Sequence, residues 1–180
     1  MLLSRNRSLV LVVDAQERLV PAMHEGEAVV GRIVKLLQGA DLLGVPKLAS
    51  EQYPKGLGPT VEPVKTHLSA DAIIEKVDFP VTGAPAALER LKACDRDQII
   101  IAGMEAHVCV LQTAFRLQER GFTPFVVADA VASRPPYDRD VAFARMRGAG
   151  IAVVTSEMVL FEWLERAGSD VFRQVSALIR

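Results

Sequence analysis

Short, nearly continuous apolar runs rich in Val and Ile recur along this chain at intervals suited to an intervening helix. They fall at 8 to 14 (SLVLVVD), 45 to 50 (VPKLAS), 71 to 76 (DAIIEK), 97 to 103 (DQIIIAG), 123 to 130 (TPFVVADA) and 150 to 156 (GIAVVTS). A strand that is apolar at successive positions, instead of alternate ones, is covered on both faces, as in a parallel sheet. Helical periodicity occupies 27 to 44, 84 to 94, 108 to 121 and 138 to 150, and Gly44, Gly121 and Gly150 stand where helix C-terminal caps belong. Repeated strand, helix, strand units with right-handed crossovers predict an α/β fold in three layers. The expected core is a doubly wound, mostly parallel sheet of about six strands in the order 3-2-1-4-5-6, with helices on both faces.

A chain of 180 residues is expected to form one domain, spanning 1 to 180. Its formal net charge of −1 offers no electrostatic grip on nucleic acid, so the expected partner is a small molecule or another copy of the chain. Cys94 and Cys109 lack disulfide-style spacing and no Cys or His grouping has zinc-site spacing, which argues for a reducing compartment and against a metal. The apolar run Leu9 to Val13 ends at Asp14, too short for a secretory core or a bilayer crossing; a cytoplasmic protein with no membrane attachment is expected.

In such sheets the ligand crevice lies beyond the carboxyl ends of the strands, where strand order reverses. Asp14 and Lys76 end two of the runs, and Cys109 follows Gly103 by six residues. Each has a plain structural alternative: a helix cap for Asp14, a solvated strand end for Lys76, a small core hydrophobe for Cys109. Together they supply complementary chemistry. Cys109 is expected to begin a helix whose N-terminus, with Lys76, favours the thiolate, while Asp14 is placed to take the proton. His107 is two residues from Cys109, a spacing at which helical side chains do not face each other, so a papain-like pair is not expected. His24 and His67 fall in loop-like segments, and Cys94 has no partners at the end of its helical pattern. The predicted order sets the first and third strands about 10 Å apart, so Lys76 must reach across the second.

The stretches LVVDAQ, EKVDF and AGMEAHVCV resemble the isochorismatase-like cysteine hydrolases. EQYPKGLGPTV (51 to 61), VVADAVASR (126 to 134) and FARMRGAGIAVVTSE (143 to 157) extend the likeness over nearly the whole chain, most nearly to the isochorismatase-domain-containing, YcaC-related branch. The resemblance implies a catalytic triad of Asp14, Lys76 and Cys109, an acyl-enzyme in members that cleave amides, and a homo-oligomer. It also implies a cis peptide between Met104 and Glu105, with an oxyanion hole formed by the backbone amides of Glu105 and Cys109. Gln16 matches a family position near the pocket floor, where a plain helix-start role is equally open. Specificity is expected from loops around Tyr53, Phe79 and Tyr137. Two departures matter. Nicotinamidases carry an Asp-x-His metal site after the second strand, but this chain has SEQYPKGLG there, so no metal or cofactor is expected. Pro80 follows Phe79 where the family often has Ser.

These residues point to a hydrolase acting on a small amide, ureido or related carbonyl compound. A binding or regulatory member of the same fold is the alternative from a different class, and isochorismate-type vinyl-ether hydrolysis is a third reading that does not need the cysteine. A dinucleotide enzyme is disfavoured because DAQERLVP stands where a glycine-rich phosphate loop should follow the first strand. Val159, Leu160, Phe161 and Trp163 exceed what one helix face needs, which suits either a buried helix or an oligomer interface. The side chain of Glu105 has no role on this reading.

Overall fold

The computed structural model describes residues 1–179. Six strands form one sheet: β1 (Ser8–Val13), β2 (Lys47–Gln52), β3 (Ile73–Lys76), β4 (Gln98–Met104), β5 (Thr123–Ala132) and β6 (Ala152–Val154). Their order is β3-β2-β1-β4-β5-β6 and every pairing is parallel, as the apolar runs predict. The helices are α1 (Gly26–Leu43), α2 (Pro54–Leu57), α3 (Glu62–Lys65), α4 (Pro85–Ala93), α5 (Leu111–Glu119), α6 (Pro136–Gly148), α7 (Ser156–Leu164) and α8 (Asp170–Ile179).

The central strand β1 shows why the runs are apolar throughout. Val10 and Val12 point to one face and join Ile33, Leu36, Leu37, Leu160 and Trp163 from α1 and α7. Leu9, Leu11 and Val13 point to the other and join Leu91, Leu117, Phe143 and Met146 from α4, α5 and α6. Successive side chains of a strand face opposite ways, so a strand between two helical layers buries all of them. The polar residues at the strand ends, which neither core can accept, collect at the carboxyl edge of the sheet.

Two local findings refine the expected pattern. The first is at Cys109: the segment Ala106–Val110 is a π turn, and the regular helix α5 begins only at Leu111. Cys109 therefore lies where the helix after β4 begins, within an opening π turn that runs directly into α5. The second concerns the four apolar residues singled out in α7: Val159, Leu160 and Trp163 are buried, and of these four only Phe161 is exposed. The indole of Trp163 donates to Ser8 Oγ at 2.9 Å, fastening α7 under β1. For these three residues the buried-helix alternative holds.

Gly103 is the tightest fit between strands. It pairs with Val13, its φ is +116°, and a Cβ there would lie 1.9 Å from the Val13 carbonyl oxygen. Only glycine allows β4 to approach β1 at this point. Among the described residues no helix is long and apolar enough to cross a membrane.

Candidate active site

The chain leaves β1 through Asp14, whose φ of +50° lies in the left-handed region that Asp tolerates better than most residues. Its amide donates to Ser50 O at 3.1 Å, which holds the turn against β2. The carboxylate has no exposure and each oxygen has its own donor: Ser50 Oγ reaches Oδ1 at 2.7 Å and Lys76 Nζ reaches Oδ2 at 2.7 Å. Lys76 crosses above the end of β2 to make that contact. On the way its ammonium donates to Gln52 Oε1 at 2.6 Å and to Asp78 O at 3.3 Å, and Cys109 Sγ lies 3.7 Å from it. Asp14, Lys76 and Cys109, expected at three separate strand ends, thus meet around one ammonium group.

The electrostatics correct one expectation. Burial pushes the Cys109 thiol up to about 12, the facing Asp14 charge adds to this, and Lys76 only partly opposes it. The thiol is 6% exposed, and burial with the Asp14 charge outweighs the pull of Lys76 toward the thiolate. Burial likewise raises Asp14 above the usual carboxylate range, against the pull of Lys76, Ser50 and Cys109. A protonated thiol beside a carboxylate has the chemistry to serve as a nucleophile if its proton is transferred during attack.

The other expected positions divide. Gln16 is fully buried; its amide nitrogen donates to Gln52 O at 3.0 Å and Gly58 O at 2.7 Å, and its oxygen accepts from Gln52 N at 2.8 Å. It pins the end of β2 and the segment after it with both amide donors and its oxygen. Tyr53 stands at the end of β2 with a φ of +36° and lines a cleft of about 480 Å³ together with Lys55, Glu75, Lys76, Val77 and Asp78. Asp14 and Cys109 are not among the residues lining it. Phe79 is exposed just beyond, while Tyr137 is 76% exposed on α6 and does not line the cleft. Glu51, where a nicotinamidase-type metal site would begin, has one carboxylate oxygen bonded to Thr60 N at 2.7 Å and Thr60 Oγ1 at 2.8 Å. Among the described residues no three His, Cys, Asp or Glu side chains are grouped to hold a metal ion. His107 Nδ1 is 2.9 Å from Ser133 Oγ, and its Nε2 is 3.7 Å from Asp138 Oδ2; these are its partners, not the thiol.

Ser50 and Gln52 were not foreseen as part of this site. A signal for them existed: a strand order with the second strand between the first and third places its polar carboxyl end between Asp14 and Lys76. The register does this, setting Ser50 beside Val13 and Gln52 beside Lys76. Glu105, without a side-chain role in the sequence, accepts from Arg134 Nε at 2.9 Å. The Met104–Glu105 peptide is cis.

The family profile of the isochorismatase domain matches residues 8–158. The chain belongs to that family. It is 35% identical over 182 residues to isochorismatase domain-containing protein 2 of Danio rerio, covering 98% of this chain and 89% of the relative. Among solved structures it is similar to the MAR1 ribonuclease from Caenorhabditis elegans, with a TM-score of 0.92, 35% identity, and 99% and 92% of the two chains covered. It is also similar to the Escherichia coli YcaC gene product, an octameric hydrolase of unknown specificity, with a TM-score of 0.90, 26% identity, and 99% and 87% covered. Isochorismatase-family proteins are generally hydrolases, and the YcaC likeness agrees with the branch that the sequence resembles.

Proposed function

We propose that this isochorismatase-family chain is a cysteine hydrolase acting on a small amide, ureido or related carbonyl compound. The observation that carries the reading is the convergence of buried Asp14 and Cys109 on Lys76 Nζ, at 2.7 and 3.7 Å, beyond the carboxyl ends of the strands where their order reverses. Cys109 Sγ attacks the carbonyl carbon while its proton passes to Asp14. The negative charge that develops on the carbonyl oxygen faces the backbone amides of Glu105 and Cys109. Collapse breaks the C–N bond, Asp14 returns the proton to the leaving nitrogen, and a thioester remains on Cys109. Water, deprotonated by Asp14, then attacks the thioester, and Asp14 returns that proton to the departing sulfur as the acid and the thiol are released. Lys76 keeps Asp14 ionised between these steps. No step calls for a metal or a cofactor.

The net charge of −1 supports a small molecule over a nucleic-acid substrate, notwithstanding the name of the C. elegans neighbour. The low exposure of Cys109 favours one second reading, a binding or regulatory member with slow turnover. A panel of small amides and ureido compounds, assayed with the native protein, Cys109→Ala and Asp14→Asn, separates the two. The hydrolase reading expects turnover that both substitutions abolish and an acyl adduct on Cys109 by mass spectrometry; turnover unchanged in Cys109→Ala would refute it. We also infer a homo-oligomer, supported by the octameric YcaC neighbour and by exposed Met158 and Phe161 on α7. A strictly monomeric mass on gel filtration would contradict this.

A further inference from the structure

Glu105 and His107 lie in or beside the turn that carries Cys109, and both are tied to the exit of β5. Glu105 Oε2 accepts from Arg134 Nε at 2.9 Å and from Arg134 N at 3.2 Å. His107 bonds the preceding residue, Ser133, at 2.9 Å. The arginine side chain is 60% exposed and the glutamate only 10%, so the glutamate is the anchored member of the pair. The main chain of the same residue closes the turn: Glu105 O accepts from Val108 N and from Val110 N, each at 3.1 Å. The second of these bonds spans five residues and makes the turn wide.

A π turn is rare because its wider loop is normally less favourable than an α turn, and it persists where neighbouring contacts hold it. The contacts that hold this one converge on Glu105. We infer that Glu105 is a positioning residue for Cys109: moored on Arg134, it keeps the turn wide and sets the thiol between Asp14 and Lys76. This rests on the cysteine-nucleophile reading and gives the Glu105 side chain a part in it. If the mooring is cut, the turn can tighten and carry the thiol away from the two groups that face it, Asp14 at the end of β1 and Lys76 at the end of β3. Away from Asp14 and nearer to water, the thiol ionises more easily.

The test uses the whole chain with Cys94→Ser, which leaves Cys109 as its only thiol. Iodoacetamide labelling of Cys109 is followed by mass spectrometry across the alkaline range, with thermal unfolding in parallel. The parent should label with an onset above the ordinary thiol value, as its buried position beside the Asp14 charge requires. Glu105→Ala should move the onset toward the ordinary thiol value of about 8.5. Arg134→Ala, a change at an exposed side chain, should move it in the same direction. The double variant should go no further than Glu105→Ala, because residues acting through one contact do not add. Glu105→Gln, which keeps an acceptor oxygen, should stay near the parent. An onset unmoved in both Glu105→Ala and Arg134→Ala, or two shifts that add in full, overturns the inference. Asp14→Asn separates this from a failure of the proposed function: if it leaves the Cys109 onset unmoved, the triad reading fails, while the Glu105 and Arg134 variants still report on the mooring.

Discussion

Lys76 Nζ lies 2.7 Å from Asp14 Oδ2 although β2 runs between the strands that carry them. Neither side chain has any exposure, so the pair is a buried ion pair of the kind whose attraction must offset a large desolvation cost. Removing one partner leaves the other charge unpaired. Lys76→Met should therefore destabilise the protein by about 3 to 5 kcal/mol in urea unfolding, while Asp14→Asn with Lys76→Met should recover most of that loss and remain inactive. A single variant as stable as the parent would mean that the charges are not held together in solution.

Ser50 and Gln52 hold the same pair from β2. Ser50→Ala leaves Asp14 Oδ1 without its donor, at a cost of about 1 to 3 kcal/mol for a buried acceptor. Gln52→Leu removes the 2.6 Å acceptor that aims the ammonium, and should lower kcat/KM by about 10- to 100-fold through misplacement of Lys76. Urea unfolding checks the first, and steady-state kinetics on whichever amide or ureido compound is turned over checks the second. Activity retained in Gln52→Leu would show that Asp14 alone orients the lysine.

The legible part of this molecule was the part governed by burial. A strand between two helical layers must be apolar throughout, so the runs fixed the sheet's position in the chain and left Asp14, Lys76 and Cys109 conspicuous at its carboxyl edge. Ser50 and Gln52 were harder to read because the second strand, expected to end at 50, continues to Gln52. Its polar end looked like the start of a loop. The π turn had no mark in the sequence, since its closure runs through the main-chain carbonyl of Glu105. Likewise the Glu105–Arg134 contact joins positions 29 residues apart that only the parallel pairing of β4 and β5 brings together. Side chains whose role is to hold other side chains carry no periodicity of their own.

Gly103 and Gly31 make a matched pair of glycine substitutions. At Gly103 a Cβ would lie 1.9 Å from backbone and φ is +116°, so Gly103→Ala must push β4 from β1 beneath the candidate site. A loss of about 4 kcal/mol or more, or failure to fold, is expected. At Gly31, exposed within α1, a Cβ meets nothing within 4 Å. There Gly31→Ala should stabilise by about 0.5 to 1 kcal/mol, the helix preference for Ala over Gly. Urea midpoints measured side by side check the contrast, and a mild Gly103→Ala would mean that the two strands can separate locally without cost.

The pH dependence of turnover follows from the directions in which burial moves Asp14 and Cys109. In the proposed mechanism Asp14 must be ionised to accept the thiol proton, so the rate should fall as pH drops through its folded value. Burial raises that value, with Lys76 foremost among the groups that oppose it. The acid limb should therefore lie above the ordinary aspartate value of about 3.9. Removing the opposing charge lets burial act alone, so the residual activity of Lys76→Met should show its acid limb at higher pH than the parent. On the alkaline side Cys109, pushed up to about 12, remains a thiol through neutral and mildly alkaline conditions and adds no limb of its own there. Profiles of kcat/KM against pH for the parent and Lys76→Met decide the matter. A limb that moves downward in Lys76→Met would show that Asp14 is not the base.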